Sequence, residues 1–424
     1  MKIKTKAASY DYVMTLKKPA HKRPKRPSIL FRTLIRLLSI PELMSTKFEF
    51  TKERMDEAGE GPYLILMNHS AFIDLKIAFK IFYPMPFCTV CTSDGFVGKR
   101  WLMRQIGCIP TNKFVTDLTL ITDMLHTVNK LNTTSILMYP EASYSFDGCA
   151  TPLPRGLGKL LKRMNVPVLT VMTEGAFLHD PLYNCLKKRK TKVTARLTCL
   201  LTREEIKNKS VEEIDSILDA AFSFDNFARQ YETGTEIKEP FRAEGLERIL
   251  YKCAACHSEG TMRGEGTHIT CGHCGKIYEF DTLGRLKALS GETEFEHIPD
   301  WYRWERECVA NELINGEYLL DTAVDIGIMT DYKKIYMVGE GRLIHNADGF
   351  TLTGCDGKLS YSHPPLSSYG LYADYYWYEI GDVICIGNKE RLYYCFPKSK
   401  SIVAKARLAA EELYRLKKQE TVKK

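Results

Sequence analysis

Two cysteine pairs, Cys253-Ala254-Ala255-Cys256 and Cys271-Gly272-His273-Cys274, stand fourteen residues apart and constrain this chain more than any other pattern in it. Cys-x-x-Cys turns at such a spacing bring four thiolates to the corners of a tetrahedron, the arrangement preferred by Zn²⁺. Gly272 and Gly275 let the backbone turn towards sulfur, and Glu259–Ile269, with Gly260, Gly264 and Gly266, suits a hairpin. A zinc ribbon is expected over residues 246–290. Four protein ligands leave no position open for a catalytic water, so the metal expected is structural, a folding clip. His257, His268 and His273 are the alternative ligands, each able to replace one sulfur. Ten further cysteines are scattered. Cys88-Thr89-Val90-Cys91 has redox spacing but sits in an apolar, strand-like run, where residues three apart face opposite sides.

At 424 residues with 44% hydrophobic content the chain exceeds one ordinary core, so two or three domains are expected. It contains no apolar run of the roughly 18 residues or more that a spanning helix needs, nor an N-terminal secretory pattern. A cytoplasmic location is the expectation. The net charge of +8 is concentrated in Met1–Arg36, which holds eleven Lys and Arg, Lys2 among them, against the single acid Asp11. Residues 1–27 read as a basic tail. Beyond it Ser28 can cap a helix with Arg32, Thr33 and Arg36 on one side and Leu30, Phe31, Leu34, Ile35, Leu37 and Leu38 covering the rest. Such a helix fits either an anionic membrane interface or the protein's own sheet. The tail lacks interleaved aromatics and a reading motif, so no nucleic-acid partner is expected.

Tyr63–Met67, short and apolar after Gly61-Pro62, reads as a buried strand running into Asn68-His69-Ser70-Ala71-Phe72-Ile73-Asp74. Ser70 is a candidate cap for a helix through Leu75, Ala78, Phe79 and Phe82. His69 then stands at a strand-to-helix mouth, with Asp74 able to fold back onto its other ring nitrogen. Imidazole, with an ordinary pKa of about 6.5, suits removal of a proton from an alcohol. A covalent acyl-enzyme is not expected, because the chain has no Gly-x-Ser-x-Gly elbow.

Three further blocks follow in order: Gly107–Lys113, a turn with a basic end; Ile136–Ser143, a strand closing on Pro140 and Glu141; and Asn165–Val171, another strand. Over roughly Tyr63 to Phe177 the chain resembles the glycerolipid (1-acyl-sn-glycerol-3-phosphate) acyltransferases. The resemblance implies His69 as general base, Asp74 as its partner, and Lys113, Glu141 and Ser143 at the substrate, Lys113 standing where the family usually has Arg. It implies acyl-CoA or acyl-carrier protein as donor and a lysophospholipid as acceptor; with the basic N-terminal segment and its amphipathic helix, such lipid substrates lead to an expectation of peripheral attachment to the inner face of a membrane bearing anionic lipid. Ala142, Ser143 and Tyr144 replace the family's Gly-Thr-Arg, and Thr170 stands where Pro is common. Arg155, Lys159 and Lys162 follow closely enough to supply charge. The non-enzymatic alternative is a zinc-containing lipid-binding or membrane-scaffolding protein.

The fold expected over 28–240 is an α/β acyltransferase domain, a mixed sheet with flanking helices. Ser210-Val211-Glu212-Glu213 has the form of a capping box opening a helix to about Tyr231. Gly234, Pro240 and Gly245 then mark a boundary. Residues 300–424 read as a β-rich domain. Asp300 is expected to cap a helix through Val309, strands follow at Ile335–Val338, Phe350–Thr353, Val383–Ile386 and Leu392–Phe396, and a helix from Ile402 closes the domain. The order resembles the pleckstrin-homology-like superfold. Its aromatic cluster, Tyr369, Tyr372, Tyr375, Tyr376, Trp377 and Tyr378, fits either a membrane surface or the inside of a small barrel.

Overall fold

The structure, a computed structural model, describes residues 3–422 except 116, 132 and 400. Lys2 of the basic stretch lies outside the described residues. The rest of that stretch is no free tail: β1 (Thr5–Ala7) pairs in parallel with residues 335–337 of the C-terminal sheet, and a helix follows at Tyr10–Thr15. Residues beyond it are held as a strap, with Arg100 donating to the Ala20 carbonyl at 2.8 Å and Arg104 to those of Lys22 and Arg23 at 2.9 and 3.0 Å. Backbone carbonyls accept these bonds, so the Lys22 and Arg23 side chains stay exposed, whereas Lys25 donates to Gln105 Oε1 at 2.7 Å.

The first sheet comprises β2 (Glu49–Glu53), β3 (Leu64–Met67), β4 (Phe87–Thr92), β5 (Cys108–Thr111), β6 (Ser135–Met138), β7 (Val168–Glu174) and β8 (Thr194–Leu201). Their spatial order is β2-β8-β7-β3-β6-β4-β5. Every neighbouring pair is parallel except β7 with β8, which makes the sheet mixed. All four β3 side chains are buried, as a central strand covered on both faces requires. Helices Asp74–Phe82 and Leu118–Lys130 help to cover the sheet, burying Ile77, Ala78 and Phe79 from the first and Met124 and Val128 from the second.

Local expectations change at several helix starts. Ser70 does not cap; the helix begins at Asp74, and Asp74 itself collects the loop's N–H groups. Ser210 forms its capping box, but the helix ends at Ala221 and a second, capped by Asp225, spans Asn226–Glu232. The helix expected to start at Asp300 runs Ile298–Asn315 behind His297, with Pro299 in its first turn, where a missing N–H costs nothing.

Helix Ile29–Ser45 packs inward through Arg32, Ile35, Ser39 and Leu43 and turns much of its apolar stripe outward. Arg32, 6% exposed, turns inward to donate to the Pro84 carbonyl, and Thr33 meets the Tyr83 hydroxyl at 3.2 Å. Leu30, Leu37, Leu38 and Met44 are left 57–72% exposed.

Beyond the first sheet, β9 (Met262–Glu265), β10 (His268–Cys271), β11 (Ile277–Phe280) and β12 (Leu286–Ala288) form a four-stranded antiparallel ribbon. Gly264 is required there, since a Cβ would lie 2.2 Å from the Ala243 carbonyl oxygen.

The last sheet contains β13 (Leu320–Met329), β14 (Ile335–Asn346), β15 (Gly349–Gly354), β16 (Leu359–His363), β17 (Tyr372–Trp377), β18 (Gly381–Gly387) and β19 (Leu392–Pro397), followed by helix Ile402–Val422. A four-strand and a three-strand meander are joined by pairing of β13 with β19. One hydrophobic core runs from Phe177 and Phe227 through Tyr278 and Trp301 to Ile326, Tyr375 and Leu408. The ribbon is thus packed between the two larger sheets. Tyr372, Tyr375 and Trp377 of the aromatic cluster are buried within this architecture.

Candidate active site and four-cysteine cluster

His69 follows β3 directly, and its loop is fixed before the imidazole is placed. The Asn68 amide is satisfied by the strand beside it: Oδ1 accepts the Thr173 N–H at 2.8 Å and its hydroxyl at 3.1 Å, while Nδ2 donates to the Thr173 carbonyl at 3.1 Å. Glu141, 1% exposed, holds the next residue, its Oε2 accepting the His69 N–H at 3.1 Å. Its Oε1 accepts the Thr151 N–H and hydroxyl at 2.9 and 3.2 Å. Glu141 is therefore directed at the protein's own backbone. Ser143, also buried, donates to the Tyr144 carbonyl at 3.2 Å.

His69 Nδ1 lies 3.1 Å from Asp74 Oδ2, which also accepts the Ser70 and Ala71 N–H groups at 2.8 and 3.0 Å. Asp74 is 1% exposed, and burial pushes its carboxyl up to about 7 against the pull of the Ala71 and Ser70 N–H groups. Burial, with the Lys113 charge, holds His69 well below its ordinary range, so its resting state is the neutral imidazole. Tyr139 and Tyr144 stack on it with centroids 4.0 and 3.8 Å away, leaving the ring 17% exposed. With Nδ1 directed at Asp74, Nε2 is the nitrogen available to a reacting hydroxyl.

Lys113 enters through Tyr144: its ammonium lies 5.6 Å from that ring's centroid and 4.4 Å from the Tyr372 ring. The Lys113 side chain is 9% exposed and sits 3.6 Å from Asp374. Arg155 instead pairs with Asp219 at 2.7 Å, and Lys162 donates to the Ile206 carbonyl at 3.1 Å. Sequence reasoning missed the two tyrosines stacked on His69, and it missed Asp374. The alternation of strand β6 through Tyr139 offered a signal for one ring. Nothing local pointed to a carboxylate more than 250 residues downstream.

The sulfur atoms of Cys253, Cys256, Cys271 and Cys274 all lie within 4.8 Å of one another. Zn–S bonds of about 2.3 Å require tetrahedral edges of about 3.8 Å. Cys253–Cys274 and Cys256–Cys271 are separated by 3.9 and 3.7 Å, so the donor set fits that metal.

Residues 47–174 match the family model described as Acyltransferase. No curated protein sequence matches the chain. A solved structure with similarity is the 1-acyl-sn-glycerophosphate (LPA) acyltransferase PlsC from Thermotoga maritima, at 15% identity and a TM-score of 0.35, covering 45% of this chain and 76% of that one. Within this longer chain, residues 47–174 are a domain of the acyltransferase family.

Proposed function

We propose that the protein moves a fatty acyl group from the thioester of acyl-CoA or acyl-carrier protein to the free hydroxyl of 1-acyl-sn-glycerol-3-phosphate. The observation that carries the reading is the His69–Asp74 contact of 3.1 Å, beside a strand end and within one ring of a lysine. His69 Nε2 takes the hydroxyl proton as the acceptor oxygen forms its bond to the thioester carbonyl carbon. The tetrahedral oxyanion collapses, the C–S bond breaks, and the imidazolium returns the proton to the departing thiolate. Ester and thiol are the products. Asp74 opposes the transient imidazolium charge, and the stacked tyrosine faces favour the same state. Lys113 acts as a point charge for the acceptor phosphate, while Glu141 and Ser143 shape the loop walls around the substrate.

The four cysteines would hold a structural Zn²⁺, which supplies cross-linking and no chemistry. The two joined meanders with their terminal helix support a pleckstrin-homology-like reading of the C-terminal part. Peripheral attachment to the inner face of an anionic membrane is supported by the outward leucines of helix Ile29–Ser45. Trp101 adds to that surface, 65% exposed and edge-on to Phe31 at 5.8 Å, as do the exposed cations Lys22, Arg23 and Arg26. No described helix is long and apolar enough to cross a membrane.

A second reading, a non-catalytic lipid-binding or scaffolding protein, is favoured by one observation: Lys113 already has a carboxylate partner in Asp374. Purified protein given labelled acyl-CoA or acyl-carrier protein and a panel of lysolipids separates the two. Turnover abolished by His69→Ala, with folding retained, supports the enzyme. Turnover undiminished in that variant rejects the role of His69, and no turnover with any donor or acceptor favours the second reading.

A further inference from the structure

Lys113 does not face an open cleft. Its partner Asp374 belongs to β17 of the C-terminal sheet, and the two side chains are 9% and 8% exposed. Other groups of the C-terminal domain close on the segments that follow β4, β5 and β6. The Tyr372 hydroxyl and Trp377 Nε1 both donate to Asp94 Oδ2, the latter at 3.0 Å, and Asp94 is buried in the turn after β4. Phe114 meets the Tyr369 ring at 5.3 Å. On the terminal helix, Arg407 donates to the Tyr144 carbonyl at 3.2 Å.

A buried ion pair offsets its desolvation when its contacts are short and its remaining lone pairs are satisfied. This pair meets neither condition. At 3.6 Å it is longer than a hydrogen bond, and Asp374 Oδ1 is buried without a hydrogen-bond partner. Burial holds the Asp374 carboxyl above its usual range, with the Lys113 charge opposing. Phosphate oxygens reaching Lys113 would make shorter, charge-assisted bonds than Asp374 makes. Lysine and carboxylate therefore form an exchangeable contact, one tyrosine ring from His69.

We propose that Asp374 gates the acceptor site: the C-terminal sheet and terminal helix close over the loops after β4, β5 and β6, and an anionic acceptor headgroup enters by displacing Asp374 from Lys113. The inference rests on Lys113 being the headgroup contact and adds a specificity residue from the other end of the chain. A neutral acceptor has nothing to exchange with Asp374 and leaves the gate shut.

In the full-length protein, Asp374→Asn keeps the side-chain shape and removes the competing charge. The KM for lysophosphatidate is expected to fall about three- to tenfold, because its headgroup no longer competes with a carboxylate for Lys113, while a monoacylglycerol, which offers Lys113 no anion, gains less. An unchanged or raised KM for lysophosphatidate overturns the gate. Amide exchange over residues 369–377 gives a readout that needs no turnover. Lysophosphatidate is expected to speed it in the wild type, with monoacylglycerol and inorganic phosphate as the comparison arms. An effect of phosphate equal to that of the lysolipid supports a gate that reads the anion alone. Faster exchange without turnover would sink the reaction while sustaining the gate, and exchange indifferent to lysophosphatidate would sink the gate whatever the turnover. Should Asp374→Asn fail to fold, Tyr372→Phe, which loses the bond to Asp94 and keeps the ring on Lys113, is expected to shift KM in the same direction.

Discussion

Glu141 holds His69 by its main chain: the carboxylate beyond β6 accepts the N–H of the residue that carries the imidazole, 3.1 Å away. Strands β3 and β6 are parallel neighbours, so one carboxylate ties together two adjacent strand ends, and its second oxygen secures Thr151. Replacing Glu141 with Ala leaves buried donors unmatched, each costing about 1–3 kcal/mol. Glu141→Ala is expected to lower both thermal stability and kcat, and Glu141→Gln, which turns an amide N–H towards a donor, to do so less. Calorimetry beside a turnover assay checks this; wild-type kcat in a folded Glu141→Ala would remove the loop-holding role.

Asp74 is expected to affect activity and stability with opposite signs. Its carboxyl is raised from 3.8 to about 7 by burial. A folded pKa above the unfolded one means that the native state binds the extra proton between those values. The associated stabilisation is complete below about pH 4 and is lost as pH rises through about 7, at up to about 1.4 kcal/mol per pH unit. Asp74→Asn is therefore expected to be more stable than wild type at pH 8, by about 1–3 kcal/mol, with the gap closing towards pH 4. Its turnover should fall about 10²- to 10⁴-fold for want of an anionic partner to His69. Wild-type kcat/KM should decline below about pH 7 as the pair gains a proton. Melting curves at both pH values and a pH–rate profile measure this; a less stable variant at pH 8 contradicts the linkage.

Ala142, immediately after Glu141, has φ +55°, in the left-handed region that costs a side-chain-bearing residue about 1–2 kcal/mol. Part of that relief is offset by the greater unfolded-state freedom of glycine. Ala142→Gly is expected to raise stability by about 0.5–1 kcal/mol with kcat unaltered. A denaturant midpoint that falls instead would show that the Ala142 methyl contributes packing exceeding its backbone strain.

What was legible in the sequence was local. His69 and Asp74 are five residues apart across a loop and a first helical turn, a separation short enough for spacing alone to predict contact. The mixed sheet and the ribbon hairpin likewise follow from short apolar runs and glycine-bearing turns. Facing was harder to read. The helix at Ile29–Ser45 showed its apolar stripe, yet nothing nearby said that the Pro84 carbonyl would draw Arg32 inward and leave the leucines in solvent. Ser70 looked like a cap because its type favours that role, but the Asp74 carboxylate takes the loop N–H groups. Least legible was the site's far wall, where Asp374 and Tyr372 arrive through a second sheet.

The outward leucines give the proposed membrane attachment a measurable test. Burying a Leu side chain is worth about 1.5–3 kcal/mol, and each nearby cation adds roughly 1 kcal/mol on anionic lipid. Leu37→Ser with Leu38→Ser is expected to reduce partitioning onto vesicles containing phosphatidylserine at least about tenfold, without loss of thermal stability, since both side chains are already exposed. Sedimentation with neutral vesicles should show weaker binding by the wild type. Equal partitioning of the double variant would place the contact elsewhere.

Metal removal tests the ribbon's mechanical place between the sheets. Zinc-finger sites draw folding free energy from their metal, and here Cys253 and Cys271 lie in the same continuous core as Trp301 and Tyr375. A chelator strong enough for a four-thiolate site should release one zinc per chain and lower the melting temperature of the C-terminal sheet as well as the ribbon. Cys256→Ser is expected to do the same more weakly, because three sulfurs retain part of the affinity. The first sheet, whose main cores are separate from that one, should lose less protection from amide exchange. Stoichiometric zinc in the protein as purified, with unfolding that spreads into residues 372–397 on chelation, is the expected result. Absence of zinc from protein prepared without chelator would remove the metal clip and leave the ribbon held by packing.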